Sequence, residues 1–118
     1  MSHVVTIEVA YKDEAVLSDA VKELGGEVLG AGVHKLFSGS VEGFGFRLPG
    51  WRYPLVLQVS GKLAYDDYGG HWGNVKDLDR LKQAYAGRLA VKAAVKQGWR
   101  LLGQSKKQDG TVVYRVGR

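Results

Sequence analysis

Glycine divides this chain into short segments, and that division restricts the fold to strands and helices of ordinary length joined by turns. Glycine makes up 17 of the 118 residues. Because it adopts left-handed backbone conformations at little cost, glycine ends helices and occupies tight turns. Gly25-Gly26 and Gly98 are predicted to end two helices, and Asp109-Gly110 is predicted to form a two-residue hairpin turn.

Two segments have the hydrophobic spacing of a helix that buries one face. The first follows Asp13, whose carboxylate can accept hydrogen bonds from the free amides of a first helical turn. The second is predicted to begin with Asp77 as its cap and to continue to about Gln97. Apolar residues of the first helix recur three or four positions apart, at Val16, Leu17, Ala20, Val21 and Leu24.

The other segments show the alternation that is typical of strands. The strand patterns cover residues 3–9, 41–48, 53–60, 99–106 and 111–116, with shorter candidates at 27–29 and 63–65. The predicted order is β-α-β-β-β-α-β-β. Because most strands follow one another through turns, we expect an α+β fold with a mostly antiparallel sheet and two helices packed on one face. The length fits a single domain over residues 1–118.

Composition excludes several classes of protein. The chain has no cysteine, so it can form neither disulfides nor thiolate sites. No apolar run reaches the ~18 residues that a membrane-spanning helix needs, and Met1-Ser2-His3 lacks the basic start and apolar stretch expected of a signal peptide. Hydrophobic residues make up 45% of the chain and charged residues 25%, as in ordinary globular proteins. We therefore expect a soluble cytoplasmic protein.

Charge is distributed unevenly along the chain. Residues 1–79 contain 7 Lys/Arg and 11 Asp/Glu, whereas residues 80–118 contain 10 Lys/Arg and a single Asp. The net charge of +5 is therefore the sum of a weakly acidic part and a strongly basic part. This asymmetry predicts a basic face that binds an acidic partner.

A stripe of cations provides the candidate binding residues. Arg88, Lys92 and Lys96 recur every four residues on the second helix, so their side chains lie along one helix face. Lys106 and Lys107 extend this set at the C-terminal hairpin. Such a stripe is suited to the phosphates of a nucleic acid or to an acidic protein surface. A solvated helix face has the same pattern, and both interpretations remain open.

Aromatic residues gather around the loop that precedes the second helix. Tyr65, Tyr68 and Trp72 can form a platform on which a base or a peptide stacks. The alternative is that these rings anchor a glycine-rich loop to the core. Trp51 and Trp99 are predicted to be packing residues at strand ends.

Asp66, Asp67 and His71 in the same loop are the candidate set for metal binding or catalysis. Carboxylate and imidazole groups bind metal ions, and His71 can act as a general base. Their spacing matches no known motif, and a turn capped by aspartate explains them equally well. Gly43-Phe44-Gly45 lacks the third glycine of a dinucleotide motif. We therefore assign no catalytic residue, metal or cofactor.

Several short motifs, taken in order, resemble one known family. They are Met1-Ser2-His3, Ala15-Val16-Leu17 to Leu24-Gly25, Tyr65-Asp66-Asp67-Tyr68, Trp72-Gly73, Leu78 to Tyr85, Gly98-Trp99 and Asp109-Gly110-Thr111. They resemble the uncharacterised family that includes hypothetical chloroplast frame 35, which is found in plastids, cyanobacteria, other bacteria and phages. The resemblance omits residues 27–50, and Val4 stands where family members tend to have an aromatic residue. The family has no established activity, so the resemblance implies no catalytic residue.

Three functions remain open from the sequence alone. The first is a small module that binds a nucleic acid or an acidic protein through its basic C-terminal third. The second is a metal-dependent enzyme or metal-binding protein built on the loop at residues 66–74. The third is a structural subunit whose exposed sheet edge pairs with a second copy or with another chain. The absence of any catalytic motif favours binding over catalysis.

Overall fold

The backbone forms one five-stranded antiparallel sheet, two helices and a separate two-stranded sheet. The computed structural model describes residues 5–37, 39–66, 70–108 and 112–117. The elements are β1 (Val5–Glu8), α1 (Glu14–Glu23), β2 (Glu27–Leu36), β3 (Gly39–Arg47), β4 (Leu55–Leu57), β5 (Lys62–Tyr65), α2 (Lys76–Lys96), β6 (Arg100–Lys106) and β7 (Val112–Gly117). The strand order is β1-β5-β4-β3-β2 in the larger sheet, and β6 pairs with β7 in the smaller one.

The predicted fold class and the order of its elements are confirmed. The fold is α+β, and the larger sheet is antiparallel throughout. Four strands lie between the two helices, because the shorter candidate segments at 27–29 and 63–65 both form strands. The strand predicted at 27–29 is the start of the much longer β2. The predicted turn at Asp109-Gly110 lies outside the described residues. Among the residues described, no helix combines the length and the apolar character that a membrane crossing requires.

The helix ends follow local sequence signals, with one correction. Asp13 caps α1 as predicted, since its Oδ1 accepts from the backbone N–H of Val16 at 3.1 Å. Gly98 has a φ of 90° just after the end of α2, as a helix stop requires. The prediction that Asp77 caps α2 is wrong. Asp77 lies inside the helix and accepts a hydrogen bond from the Trp51 indole at 2.9 Å, which fixes its side chain elsewhere.

The main core lies between the helices and one face of the larger sheet. Leu17 and Val21 of α1 and Leu81 of α2 are fully buried. They belong to one cluster with the inward-facing strand residues Phe44, Phe46, Leu55, Leu57, Leu63 and Tyr65. These strand residues alternate with residues on the opposite face, as the period of a β-strand dictates. The core therefore anchors both helices to the centre of the sheet.

A sharp bend in the ribbon formed by β2 and β3 covers part of the opposite face. Two cross-strand glycine pairs, Gly30 with Gly45 and Gly32 with Gly43, allow this bend. The His34 ring packs against Gly45, and its Nε2 donates to the carbonyl oxygen of Gly30 at 2.8 Å. In a straight strand those two residues would be about 13 Å apart. The outer half of the ribbon therefore folds back.

This folding creates a second, smaller buried layer on the face away from the helices. Leu36 near the end of the ribbon is completely buried. So are Val56 and Ala64, which alternate with the core residues of β4 and β5 and lie outside the main cluster. The bend places the Phe37 ring in contact with Tyr53 and Trp72, two loop residues that are distant in sequence. The bend thus determines which side chains meet at this end of the molecule.

Candidate nucleic-acid interface

The predicted cation stripe on α2 faces α1 over most of its length. Residues at spacings of three and four share one helix face, so Arg88 and Lys92 continue the face that buries Leu81. The Arg88 guanidinium is 3.0 Å from the Glu23 carboxylate. Lys92 forms an ion pair with the Asp13 carboxylate. Two of the five predicted binding residues are therefore paired with acids of the N-terminal half.

Glu23 is the centre of a polar network that joins α1, α2 and the smaller sheet. The Tyr114 hydroxyl lies 2.7 Å from both Glu23 carboxylate oxygens, to which it donates. Arg88 also donates to Gln104 at 3.0 Å, and its guanidinium lies 5.4 Å from the centre of the Tyr114 ring. That ring packs against Gly87, where a side chain would collide with it. The network holds β6 and β7 against the helices.

This network predicts a loss of stability at high pH. Burial, and then the hydrogen bond to Glu23, raise the pKa of Tyr114 from 10.0 to about 12. Because this pKa is higher in the folded state than in the unfolded state, the protonated hydroxyl stabilises the fold fully below pH 10. The stabilisation is lost as the pH rises through 12. We expect the free energy of unfolding from urea titrations to fall across that interval, and to fall less in Tyr114→Phe. Identical pH dependence in both proteins would contradict the assignment.

Other cations of the C-terminal third remain accessible. Lys96, Arg100, Lys107 and Arg115 are exposed, and none of them forms an ion pair with any described residue. We call these four residues the basic arm. The only acid that the sequence contains after residue 79 is Asp109, which lies outside the described residues. The side chain of Lys106, another predicted binding residue, also lies outside the described part of the structure.

Two members of the basic arm were not among the residues predicted from the sequence. Arg100 and Arg115 each stand opposite a glycine across the smaller sheet, Gly117 and Gly103 respectively. The Arg115 guanidinium would lie 3.3 Å from a Cβ at Gly103, so the missing side chain leaves room for it. The strand register is the signal that could have identified both arginines.

The predicted aromatic loop is divided between the core and the surface. Tyr65 is buried in the main core, where its ring packs edge-on against Trp51 at 5.8 Å. Tyr68 lies outside the described residues. Trp72 is half-buried and contacts two rings that the sequence did not single out, Phe37 at 4.8 Å and Tyr53 at 5.1 Å between ring centres. The surface cluster therefore has a different membership from the predicted one.

A guanidinium group completes this surface cluster. The Cζ of Arg52 is 5.7 Å from the centre of the Trp72 ring and 5.8 Å from that of Tyr53. The Arg52 backbone N–H donates to the Trp72 carbonyl at 2.8 Å, which ties the two loops together. We call Phe37, Tyr53, Trp72 and Arg52 the aromatic platform. Its members come from three separate segments, which is why sequence spacing did not reveal them.

The structure does not bring the candidate metal-binding residues of the loop, Asp66 and His71, together with other ligands in the part that it describes. Asp66 is 1% exposed, and neither carboxylate oxygen has a hydrogen-bond partner among the residues that the structure describes. His71 is exposed, and Asp67 lies outside the described residues. Within the described ranges, no three His, Cys, Asp or Glu side chains are grouped closely enough to hold a metal ion. A metal role for this loop stays a prediction.

A groove of about 830 Å³ lies beside the bend of the ribbon. Tyr11, Phe44 and Leu57 line it with apolar surface. Its charged lining residues balance, with Lys12 and Lys62 against Glu14 and Glu42. A polyanion is therefore better matched to the basic arm than to this groove.

Comparison of the chain with protein-family models, with curated proteins and with solved structures yields no match. Membership of the family that includes hypothetical chloroplast frame 35 stays a prediction.

Proposed function

We propose that this protein is a non-enzymatic module that docks the phosphates of a nucleic acid on its basic arm. The observation that carries the proposal is the group of four exposed cations without ion-pair partners among the described residues: Lys96, Arg100, Lys107 and Arg115. Cations already paired with internal carboxylates contribute little to an external anion, which is why Arg88 and Lys92 are left out. They act instead as supports for the arm.

The chemistry of the arm favours phosphate as its target. Arginine forms two parallel hydrogen bonds with a phosphate, and lysine adds a point charge. Neutralising phosphates releases condensed counterions, so exposed cations contribute affinity at low salt without being buried. The polar network around Glu23 holds β6 and β7 against the middle of α2, at Arg88. The cations are therefore presented on a rigid support.

Binding to duplex DNA at increasing salt tests the proposal. If all four cations contact phosphates, the logarithm of the association constant is expected to fall with the logarithm of the salt concentration with a slope of about −3.6. In the double variant Arg100→Gln, Arg115→Gln the slope is expected to be about −1.8, since each lost phosphate contact removes roughly one unit. Fluorescence anisotropy of a labelled duplex measures both slopes.

A charge-matched variant controls for net charge. Lys76→Gln removes a cation at the first residue of α2, about 30 Å along the helix from Lys96, and should leave the slope unchanged. Binding that is insensitive to salt, or equal losses in Lys76→Gln and Arg100→Gln, would overturn the proposal. So would competition by polyglutamate as efficient as competition by unlabelled DNA, because an acidic protein surface would then be the better candidate.

A further inference from the structure

The aromatic platform is a separate surface from the basic arm. Trp72 precedes the first residue of α2 by four positions, whereas Lys96 is the last residue of that helix. A helix of 21 residues is about 30 Å long, so Trp72 and Lys96 lie near its opposite ends. The platform is therefore treated as a second candidate surface.

The platform combines ring faces with a positive charge at the surface. Phe37 is 55% exposed although it is apolar, and none of the three rings belongs to the main core cluster. The ring centres are 4.8 to 6.1 Å apart, and the Arg52 guanidinium lies within 6 Å of two of them. Aromatic rings and a guanidinium plane are the groups on which unpaired bases stack. The neighbouring positive charge suits the phosphates that accompany a base.

We infer that the aromatic platform stacks an unpaired base of a single-stranded nucleic acid. The inference rests on the proposed function of the basic arm and adds the class of nucleic acid that is bound. A duplex covers the faces of its bases, so it can reach the arm but not the platform. A cationic ligand is disfavoured because the Arg52 guanidinium, within 6 Å of the Tyr53 and Trp72 ring centres, would repel it. A single strand that contacts both the platform and Lys96 must span about 30 Å, which at 3.4 Å per stacked nucleotide requires about nine nucleotides.

Affinities for single-stranded and duplex oligonucleotides of equal length provide the test. With labelled strands longer than about nine nucleotides, the wild-type protein is expected to bind the single strand about tenfold more tightly than the duplex, as one stacked base allows. Phe37→Ala should remove that preference and leave duplex affinity unchanged. Arg52→Lys keeps the charge but loses the planar group, so it should weaken single-strand binding several-fold. Val59→Ala removes an apolar side chain that is fully exposed outside the platform and should change neither affinity.

The outcomes separate this inference from the proposed function. Equal affinities for the single strand and the duplex, unchanged in Phe37→Ala, would overturn the platform inference and leave the arm proposal standing. No salt-dependent binding to either oligonucleotide would overturn both. Saturable binding of an uncharged proline-rich peptide that is lost in Phe37→Ala, without any effect of that variant on oligonucleotides, would assign the platform to peptides instead. Because Arg52 is exposed, Arg52→Lys tests the stack even if Phe37→Ala loosens the ribbon.

Discussion

Replacing Glu23 with alanine is expected to lower the free energy of unfolding by about 3 kcal/mol, since it leaves a largely buried arginine without its counter-charge. Glu23 is the shared acceptor of Arg88 and Tyr114, and its side chain is only 8% exposed. The Nε of Arg88 is already buried without a hydrogen-bond partner in the described part of the chain. The variant would therefore leave Arg88 without its counter-charge and the Tyr114 hydroxyl without its acceptor. Urea denaturation followed by circular dichroism measures the change.

Asp19 provides the matched control for this prediction. It is an exposed acid on the same helix and takes part in none of the ion pairs found in the structure. Asp19→Ala should change stability by no more than about 0.5 kcal/mol, as is usual for surface positions. If Glu23→Ala and Asp19→Ala unfold at the same urea concentration, the network does not hold the smaller sheet in place.

Replacing Gly43 with alanine is expected to destabilise the fold by about 3 kcal/mol through steric overlap. A Cβ at this position would fall on the backbone carbonyl of Leu57, which cannot move without breaking the pairing of β3 with β4. The bend of the ribbon would open, and Phe37 would be drawn away from Trp72. We expect a lower urea midpoint and, in the same variant, loss of any single-strand preference.

Gly39 is the control for the effect of adding a methyl group to β3. A Cβ there would meet no described atom within 4 Å. The free energy of unfolding of Gly39→Ala should therefore lie within about 0.5 kcal/mol of the wild-type value. A Gly43→Ala protein as stable as Gly39→Ala would show that the bend does not depend on glycine at position 43.

The residues of the candidate interface were only partly predictable from the sequence. Lys96 was predicted from the four-residue spacing of cations on the second helix and Lys107 from its place at the hairpin, and both are exposed and unpaired among the described residues. Arg88 and Lys92 belong to the same stripe, but the sequence cannot show that acids from another helix lie opposite them. Arg100 and Arg115 required the register of β6 with β7. Helical spacing predicts a shared face and does not predict what that face meets.

Local patterns in the sequence were sufficient for the fold class, the order of elements, the Asp13 cap and the stop of α2 at Gly98. These features depend on hydrophobic period, side-chain capping and the conformational freedom of glycine, all of which act over a few residues. Only the tertiary structure decided that the ribbon folds back and brings Phe37, Tyr53 and Trp72 together. It also decided which cations are neutralised. Both outcomes depend on contacts between distant segments, and the geometry of those contacts is set by packing after the local elements have formed.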